Sequence, residues 1–163
     1  MIDTFLSTTT GKEFIVAFQI LYATLLGGFI GIEREKHAMS AGIRTYAAVC
    51  LGAAVFTIIG NNLIDATASS RIISNIITGV GFIGAGIIFR NTNGKTSGLT
   101  TASTVWTTSA IGVSIGSHLY LIATFSTIVI CFVLSLHHYM WFNKWVTAMR
   151  KKHKDCDETK NPD

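Results

Sequence analysis

Five long apolar segments alternate with short polar segments along this chain of 163 residues. The apolar segments cover residues 14–32, 46–59, 72–89, 99–115 and 119–136, of which the second is the shortest. A helix of about 17–25 apolar residues is long enough to cross the hydrocarbon core of a bilayer. The pattern therefore predicts an all-α, polytopic membrane protein, a bundle of five transmembrane helices.

The third apolar segment, together with the arginines that flank it, has the sequence RIISNIITGVGFIGAGIIFR and is rich in glycine. At about 100° per residue, one face of this helix carries Asn75, Gly79 and Gly86, and the opposite face carries Gly81 and Gly84. Glycine lets a neighbouring backbone approach closely inside a membrane. Because small residues lie on two opposite faces, we predict that this third helix lies at the centre of the bundle.

The same segment contains GVGFIG, which matches the G-x-G-x-x-G pattern of dinucleotide-binding sites. That pattern requires a preceding strand and an acidic residue about 20 positions later. Here it lies inside an apolar run, and the next acidic residue is Asp155. The glycines are therefore interpreted as helix-packing positions.

Only 13% of the residues are charged, well below the roughly one quarter found in soluble domains. The net charge of +4 lies mostly beside the apolar segments, which favours anionic lipid over nucleic acid as the partner. The spacing of Cys50, Cys131 and Cys156 matches neither a zinc site nor a disulfide framework, so no metal site or cofactor is expected. No nucleophile–base–acid set emerges either, and we expect no enzymatic activity.

The positive charges predict the orientation. If the loop after the first helix is cytoplasmic, eleven of the thirteen lysines and arginines lie inside, and only Lys12 and Arg71 lie outside. Positive residues next to membrane spans stay in the cytoplasm. We therefore predict an N-out, C-in topology, with a transmembrane domain over residues 1–142 and a basic juxtamembrane tail over residues 143–163.

Glycines four residues apart also mark the first and fourth helices. Gly27 and Gly31 form a small-residue seam whose partner is either the third helix or a second copy of the chain. Gly112 and Gly116 form a similar pair. Such seams fit a homo-oligomer, for which a dimer is the simplest form.

A cluster of mixed charge, EREKH, follows the first helix. It is either a solvated loop that sets the topology or a functional site. Glu33 lies at the bilayer edge, where an unpaired carboxylate is costly, so we expect Arg34, Arg44 or Arg90 to pair with it.

The fourth helix carries eight serine and threonine hydroxyls between Thr100 and Ser114. These hydroxyls can donate to carbonyls of their own helix. Alternatively, the strip of Thr100, Thr104, Thr107 and Thr108, together with Asn75, lines a polar path for water or an ion.

Four blocks in this order resemble the MgtC/SapB family of bacterial membrane proteins over residues 14–136. They are GIERE at residues 31–35, GIRT at 42–45, GFIGAG at 81–86 and GLTTA at 98–102. Two features depart from the family pattern. ASS replaces the usual acid–proline step before Arg71, and the sequence stops at Asp163, without the soluble domain that many members carry after the last span, so it is either a short member or a piece of a longer protein.

The resemblance implies a multi-pass protein of the bacterial cytoplasmic membrane, associated with magnesium homeostasis, adaptation to low magnesium and, in some members, intracellular survival. It also implies either restraint of the F-type ATP synthase or magnesium transport. The polar signature of the family falls on Glu33, Arg34, Glu35, Arg44, Thr45, Arg71 and Arg90.

Two hypotheses follow for the function. The first is a regulatory protein that binds another membrane complex through its helices. The second is a transporter or channel for magnesium or another cation, with Glu33 and Glu35 at its cytoplasmic mouth. The sequence favours the first, because the apolar segments contain no aspartate or glutamate to hold a hydrated cation.

Overall fold

The computed structural model describes residues 9–37, 39–62, 66–90 and 96–136. These residues form the helices α1 (Thr9–Glu35), α2 (Ile43–Asn61), α3 (Ala66–Ile87), α4 (Leu99–Gly116) and α5 (Tyr120–Ser135). Two strands of two residues each, β1 (Phe89–Arg90) and β2 (Thr96–Ser97), form a hairpin between α3 and α4. The predicted helical class is confirmed. The chain divides into the units Met1–Ile130 and Cys131–Asp163, and residues 131–136 are the described part of the second.

Helices α1 and α2 meet along the glycine seam of α1. A methyl group on Gly27 would lie 2.6 Å from the backbone oxygen of Tyr46, and one on Gly31 would overlap the backbone of Ile43. The two backbones are therefore in direct contact at two successive helical turns. The seam therefore faces α2 and not the third helix, which was one of the two partners that the sequence left open.

Helix α4 packs against another face of α2 in the same way. A methyl group on Gly112 would overlap the backbone of Cys50, and one on Gly116 would lie 2.6 Å from the Cβ atom of Thr57. Helix α2 thus has small-residue contacts with two neighbours and contributes buried residues along its length. The core of the Met1–Ile130 unit is formed by α1, α2 and α4.

Helix α3, which the sequence placed at the centre, lies at the periphery of this unit, so that prediction is wrong for the described chain. Only 11% of its most apolar stretch is buried. Methyl groups on Gly79, Gly81 or Gly86 would meet no atom within 4 Å, whereas one on Gly84 would lie 3.6 Å from the Cβ atom of Ala102. The physical reason is that glycine permits a close approach but does not supply the neighbour.

Side-chain amides complete the carboxyl end of α4. Gln19 is 1% exposed, and its Nε2 donates to the Ile115 carbonyl at 2.7 Å. Asn61 Nδ2 donates to the Gly116 carbonyl at 3.0 Å. The last carbonyls of a helix have no donor within that helix. Asn61 supplies a donor for the Gly116 carbonyl, and Gln19 adds a second donor to the Ile115 carbonyl, which also accepts from the His118 N–H at 3.0 Å.

The turn from α3 into α4 depends on Gly98. This residue precedes α4 with φ +90°, a backbone conformation that a side chain would strain. A methyl group there would also overlap the Ile87 carbonyl. Gly98 thereby lets the hairpin bring the start of α4 directly against the end of α3.

Among the described residues, three helices are long and apolar enough to cross a membrane: Gly11–Glu35, Ile43–Asn61 and Thr67–Ile87. Helix α5 is a shorter apolar helix, anchored to α1 where the Tyr22 hydroxyl lies 2.7 Å from Thr124 Oγ1. The count of five spans and their orientation remain predictions. The predicted tail, residues 143–163, lies outside the described residues.

Candidate functional site

The charged cluster at the end of α1 separates into side chains with different roles. Glu33 lies 4.0 Å from Lys36 Nζ and 3.9 Å from His37 Nδ1, one helical turn further along the chain. Its described ion-pair partners are therefore not an arginine, contrary to expectation. Residues three and four positions apart share a helix face, which brings Lys36 and His37 within reach of Glu33. Adjacent residues do not share a face, so Arg34 points in a different direction from Glu33.

Glu35, the last residue of α1, contacts the amino end of α2. Its Oε2 accepts a hydrogen bond from the backbone N–H of Ile43 at 3.0 Å, at the amino end of α2. A methyl group on Gly42 would lie 2.8 Å from the same oxygen, so glycine leaves the space for this contact. A carboxylate is also favourable at the positive end of the helix dipole. Glu35 thus fixes the reversal of the chain between α1 and α2.

Arg34 points into the bundle, between α1, α2 and α4. Its side chain is only 7% exposed, and its Nη2 donates to Thr101 Oγ1 at a long 3.4 Å. Its Nε has no hydrogen-bond partner in the described part of the chain. Arg34 lies in register with Gly27 and Gly31, so it continues the face of α1 that packs on α2.

Tyr46 lies beside Arg34 and is fully buried. Arg34 and Thr104 are the polar neighbours of its hydroxyl. No group among the described residues completes a hydrogen bond with that hydroxyl. Arg34, Tyr46, Thr101 and Thr104 form what we call the Arg34 cluster.

The other predicted polar residues lie outside this cluster. Arg44 and Thr45 are exposed in the first turn of α2, close in sequence to the Glu35 contact. Arg90 is exposed in β1. Arg71 is exposed near the start of α3, and because α3 begins where α2 ends, connectivity places it at the opposite end of the bundle from Arg34.

The threonines of the predicted polar path are bonded to their own helix. Thr104, Thr107 and Thr108 each donate to the carbonyl four residues earlier, at 2.7, 3.0 and 2.8 Å. Thr104 and Thr108 are buried and Thr107 is half-buried, whereas Thr100 is exposed. Of the two interpretations of these hydroxyls, hydrogen bonding to the carbonyls of their own helix therefore accounts for Thr104, Thr107 and Thr108. Asn75 is exposed on α3.

Sequence reasoning missed Tyr46, Thr101 and Gln19. Arg34 and Thr101 are 67 positions apart, and no spacing rule links them. The register of Arg34 with Gly27 and Gly31 was the available signal, because it places a cation on a helix face already identified as packed.

Comparisons with known proteins identify the family of this chain. The MgtC family model matches residues 20–141. YhiD of Escherichia coli K12, described as a candidate magnesium transporter, is 37% identical over 139 residues, which cover 80% of this chain and 63% of YhiD. The chain therefore spans less than two thirds of the length of that relative.

Two further relatives carry other names. SrpB of Synechococcus elongatus is 38% identical over 129 residues, covering 69% of this chain and 71% of SrpB. MgtC of Brucella abortus is 40% identical over 114 residues, covering 70% of this chain and 48% of that protein. No solved structure matches the chain. With its membrane-type helices and these relatives, the chain is a membrane protein that belongs to the MgtC family.

Proposed function

We propose that this chain is a regulatory protein of the bacterial cytoplasmic membrane, which serves magnesium homeostasis and adaptation to low magnesium by binding another membrane complex. Membership of the MgtC family and the description of YhiD support the link to magnesium. The F-type ATP synthase, which the resemblance implies, is the first partner to test. Five spans in an N-out, C-in topology belong to this proposal.

The exposed face of α3 is the observation that carries the proposal. Asn75, Gly79 and Gly86 lie on this face, which we call the Asn75 face. All three are exposed, and methyl groups on the two glycines would meet no atom within 4 Å. The Asn75 amide makes no hydrogen bond within the described chain. In lipid, an amide and bare glycine backbone favour contact with another helix.

A groove beside this face enlarges the surface. It has a volume of about 700 Å³ and lies between α2 and α3. Ala48 and Gly52 line it from α2, and Asn75 and Gly79 line it from α3. The remaining lining residues are apolar, so the Asn75 amide is the polar side chain of this groove. A transmembrane helix with small or medium apolar side chains and one polar group fits this surface.

Transport of magnesium or another cation is the second candidate, favoured by the description of YhiD and by the hydroxyl-rich α4. The Arg34 cluster opposes it. The Arg34 guanidinium carries a positive charge. It lies against Thr101 and beside Tyr46, with no carboxylate paired to it in the described residues. A cation that follows the hydroxyls of α4 would have to pass this fixed positive charge.

Matched glycine variants test the regulatory function. Gly79→Leu and Gly86→Leu place bulk on the Asn75 face, and Gly81→Leu makes the same change on the opposite face, where a methyl group also meets no atom. In cells at low magnesium, the first two variants should lose both the co-purified complex and growth support, and Gly81→Leu should keep both. Equal loss in all three, or co-purification of the chain only with itself, would contradict the proposal.

A flux measurement decides between the two candidates. The wild-type chain, reconstituted in liposomes that contain a magnesium-sensitive dye, should give no flux above that of empty vesicles. Flux that persists in the Gly79→Leu variant would instead support transport.

A further inference from the structure

The Arg34 cluster contains two buried hydrogen-bond donors that the described chain leaves unused. Arg34 is 7% exposed and Tyr46 is 0% exposed, yet Arg34 Nε and the Tyr46 hydroxyl have no hydrogen-bond partner there. Such groups are rare, because a buried polar group without a partner costs about 1–3 kcal/mol, and more when it is charged. The two groups are neighbours, and both could donate to an acceptor that the described residues do not supply.

The surrounding helix ends favour a negative charge at the same place. Thr101 lies in the first turn of α4, and Gly98, which precedes that helix, supplies no side-chain cap. The first backbone N–H groups of a helix have no acceptor within it and carry the positive end of its dipole. Tyr46 lies in the first turn of α2, whose amino end already has Glu35 as an acceptor, so the amino end of α4 is the one without a side-chain acceptor beside the Arg34 guanidinium.

The nearby carboxylates are engaged elsewhere. Glu33 pairs with Lys36 and His37, and Glu35 accepts from Ile43 N–H. Neither is paired with Arg34 in the described residues. Arg34 lies in the last turn of α1, where the negative end of the helix dipole favours a cation. This dipole gives Arg34 Nε and the Tyr46 hydroxyl no hydrogen-bond acceptor.

We propose that the Arg34 cluster and the first turn of α4 bind a phosphate group. The donors come from three helices and therefore from different directions, which suits a tetrahedral oxyanion better than a planar carboxylate. The guanidinium offers Nε and Nη2 as adjacent donors, the geometry that pairs with two phosphate oxygens. Tyr46, Thr101 and the α4 backbone supply the remaining donors.

The phosphate group has two possible sources: free inorganic phosphate, or the headgroup of an anionic phospholipid at the bilayer edge. The site lies where α1 ends and α2 and α4 begin, which the positive charges predict to be the cytoplasmic end. It is separate from the Asn75 face on α3, so it does not depend on the proposed regulatory function.

Thermal unfolding of the purified chain in neutral detergent, free of phosphate and anionic lipid, provides the test. The probes are inorganic phosphate and acetate, with chloride at equal ionic strength as reference, and phosphatidic acid, with phosphatidylcholine as reference. Stabilisation by inorganic phosphate assigns the site to the free ion, and stabilisation by phosphatidic acid alone assigns it to a lipid headgroup. Either result supports the proposal.

Three variants locate the effect. Arg34→Lys keeps the charge but loses the paired donors, and we expect the probe to bind roughly tenfold more weakly. Tyr46→Phe removes only an unused hydroxyl, so without a probe it should be at least as stable as the wild type, and it should gain less from the probe. Arg44→Gln removes an exposed cation near the same end and should bind as the wild type does.

Three results would overturn the proposal. The first is no stabilisation by either probe. The second is equal stabilisation of the wild type, Arg34→Lys and Tyr46→Phe, which would assign binding to surface charge. The third is stabilisation by acetate but not by phosphate, which would indicate a site for a carboxylate, such as one from a partner protein.

Discussion

Arg34 Nη2 donates to Thr101 Oγ1 across 3.4 Å, which joins the last turn of α1 to the first turn of α4. The bond is long, and the neighbouring Nε and the Tyr46 hydroxyl remain without partners in the described chain. The most buried charge of the family's polar signature is thus incompletely satisfied. These two unused groups are the basis of the phosphate site proposed above.

Gly31 should be intolerant of even one methyl group. Gly31→Ala would push Cβ into the backbone of Ile43, where no side chain can move aside, and we expect a loss of about 1–3 kcal/mol in unfolding free energy. The matched control is Gly81→Ala, whose methyl group meets no atom within 4 Å; it should be neutral or stabilising by about 0.5–1 kcal/mol. Unfolding in detergent, followed by circular dichroism, measures both. Equal stability of the two variants would contradict the α1–α2 seam.

Gln19 should contribute to stability through its hydrogen bond. Gln19→Leu keeps the volume but removes one of the two donors to the Ile115 carbonyl, which retains the His118 N–H, at an expected cost of about 0.5–1.5 kcal/mol. Asn62→Ala is the control, because Asn62 Nδ2 bonds only the Ile58 carbonyl of its own helix and the residue is exposed. The same unfolding measurement applies. A cost for Asn62→Ala as large as that for Gln19→Leu would show that the buried amide has no special role.

The two glutamates beside Arg34 should differ in their effect. Glu35→Ala removes the acceptor for Ile43 N–H and should cost about 0.5–2 kcal/mol, as the loss of a helix cap does. Glu35→Gln keeps an oxygen acceptor and should cost less. Glu33→Gln removes only long ion pairs to Lys36 and His37 and should cost below about 1 kcal/mol. If Glu33→Gln is the most damaging of the three, the assigned roles are reversed.

Cysteine labelling tests the orientation. In a background where Cys50 and Cys131 are replaced by alanine, a membrane-impermeant maleimide applied to intact cells should label Lys12→Cys and leave Cys156 unlabelled. Cys156 should react after the cells are opened. Labelling of Cys156 in intact cells would place the tail outside and contradict the N-out, C-in topology.

The helices were predictable from the sequence, and their arrangement only in part. The apolar runs predicted five helices because burial in lipid selects long uncharged segments, and the structure contains them. Gly27 and Gly31 predicted a packed face, because their four-residue spacing is a local property of one helix. The pairing of Glu33 with Lys36 and His37 could also have been predicted from the spacing of three and four residues.

Contacts between residues far apart in the sequence could not be predicted. The central position expected for α3 was wrong because Gly79, Gly81 and Gly86 show only that a neighbour can approach, and in the described chain none does. The contact of Arg34 with Thr101 joins residues of different helices, and it depends on how α1 and α4 both pack against α2. No local spacing contains that information.

Photocrosslinking from the Asn75 face tests the central claim most directly. A photoreactive amino acid at position 75, in membranes from cells at low magnesium, should give a crosslink to a different membrane protein, and the crosslink should disappear in the Gly79→Leu variant. The same probe at position 81 should not give it. Crosslinks from position 75 to lipid alone, or to a second copy of this chain alone, would contradict regulation through α3.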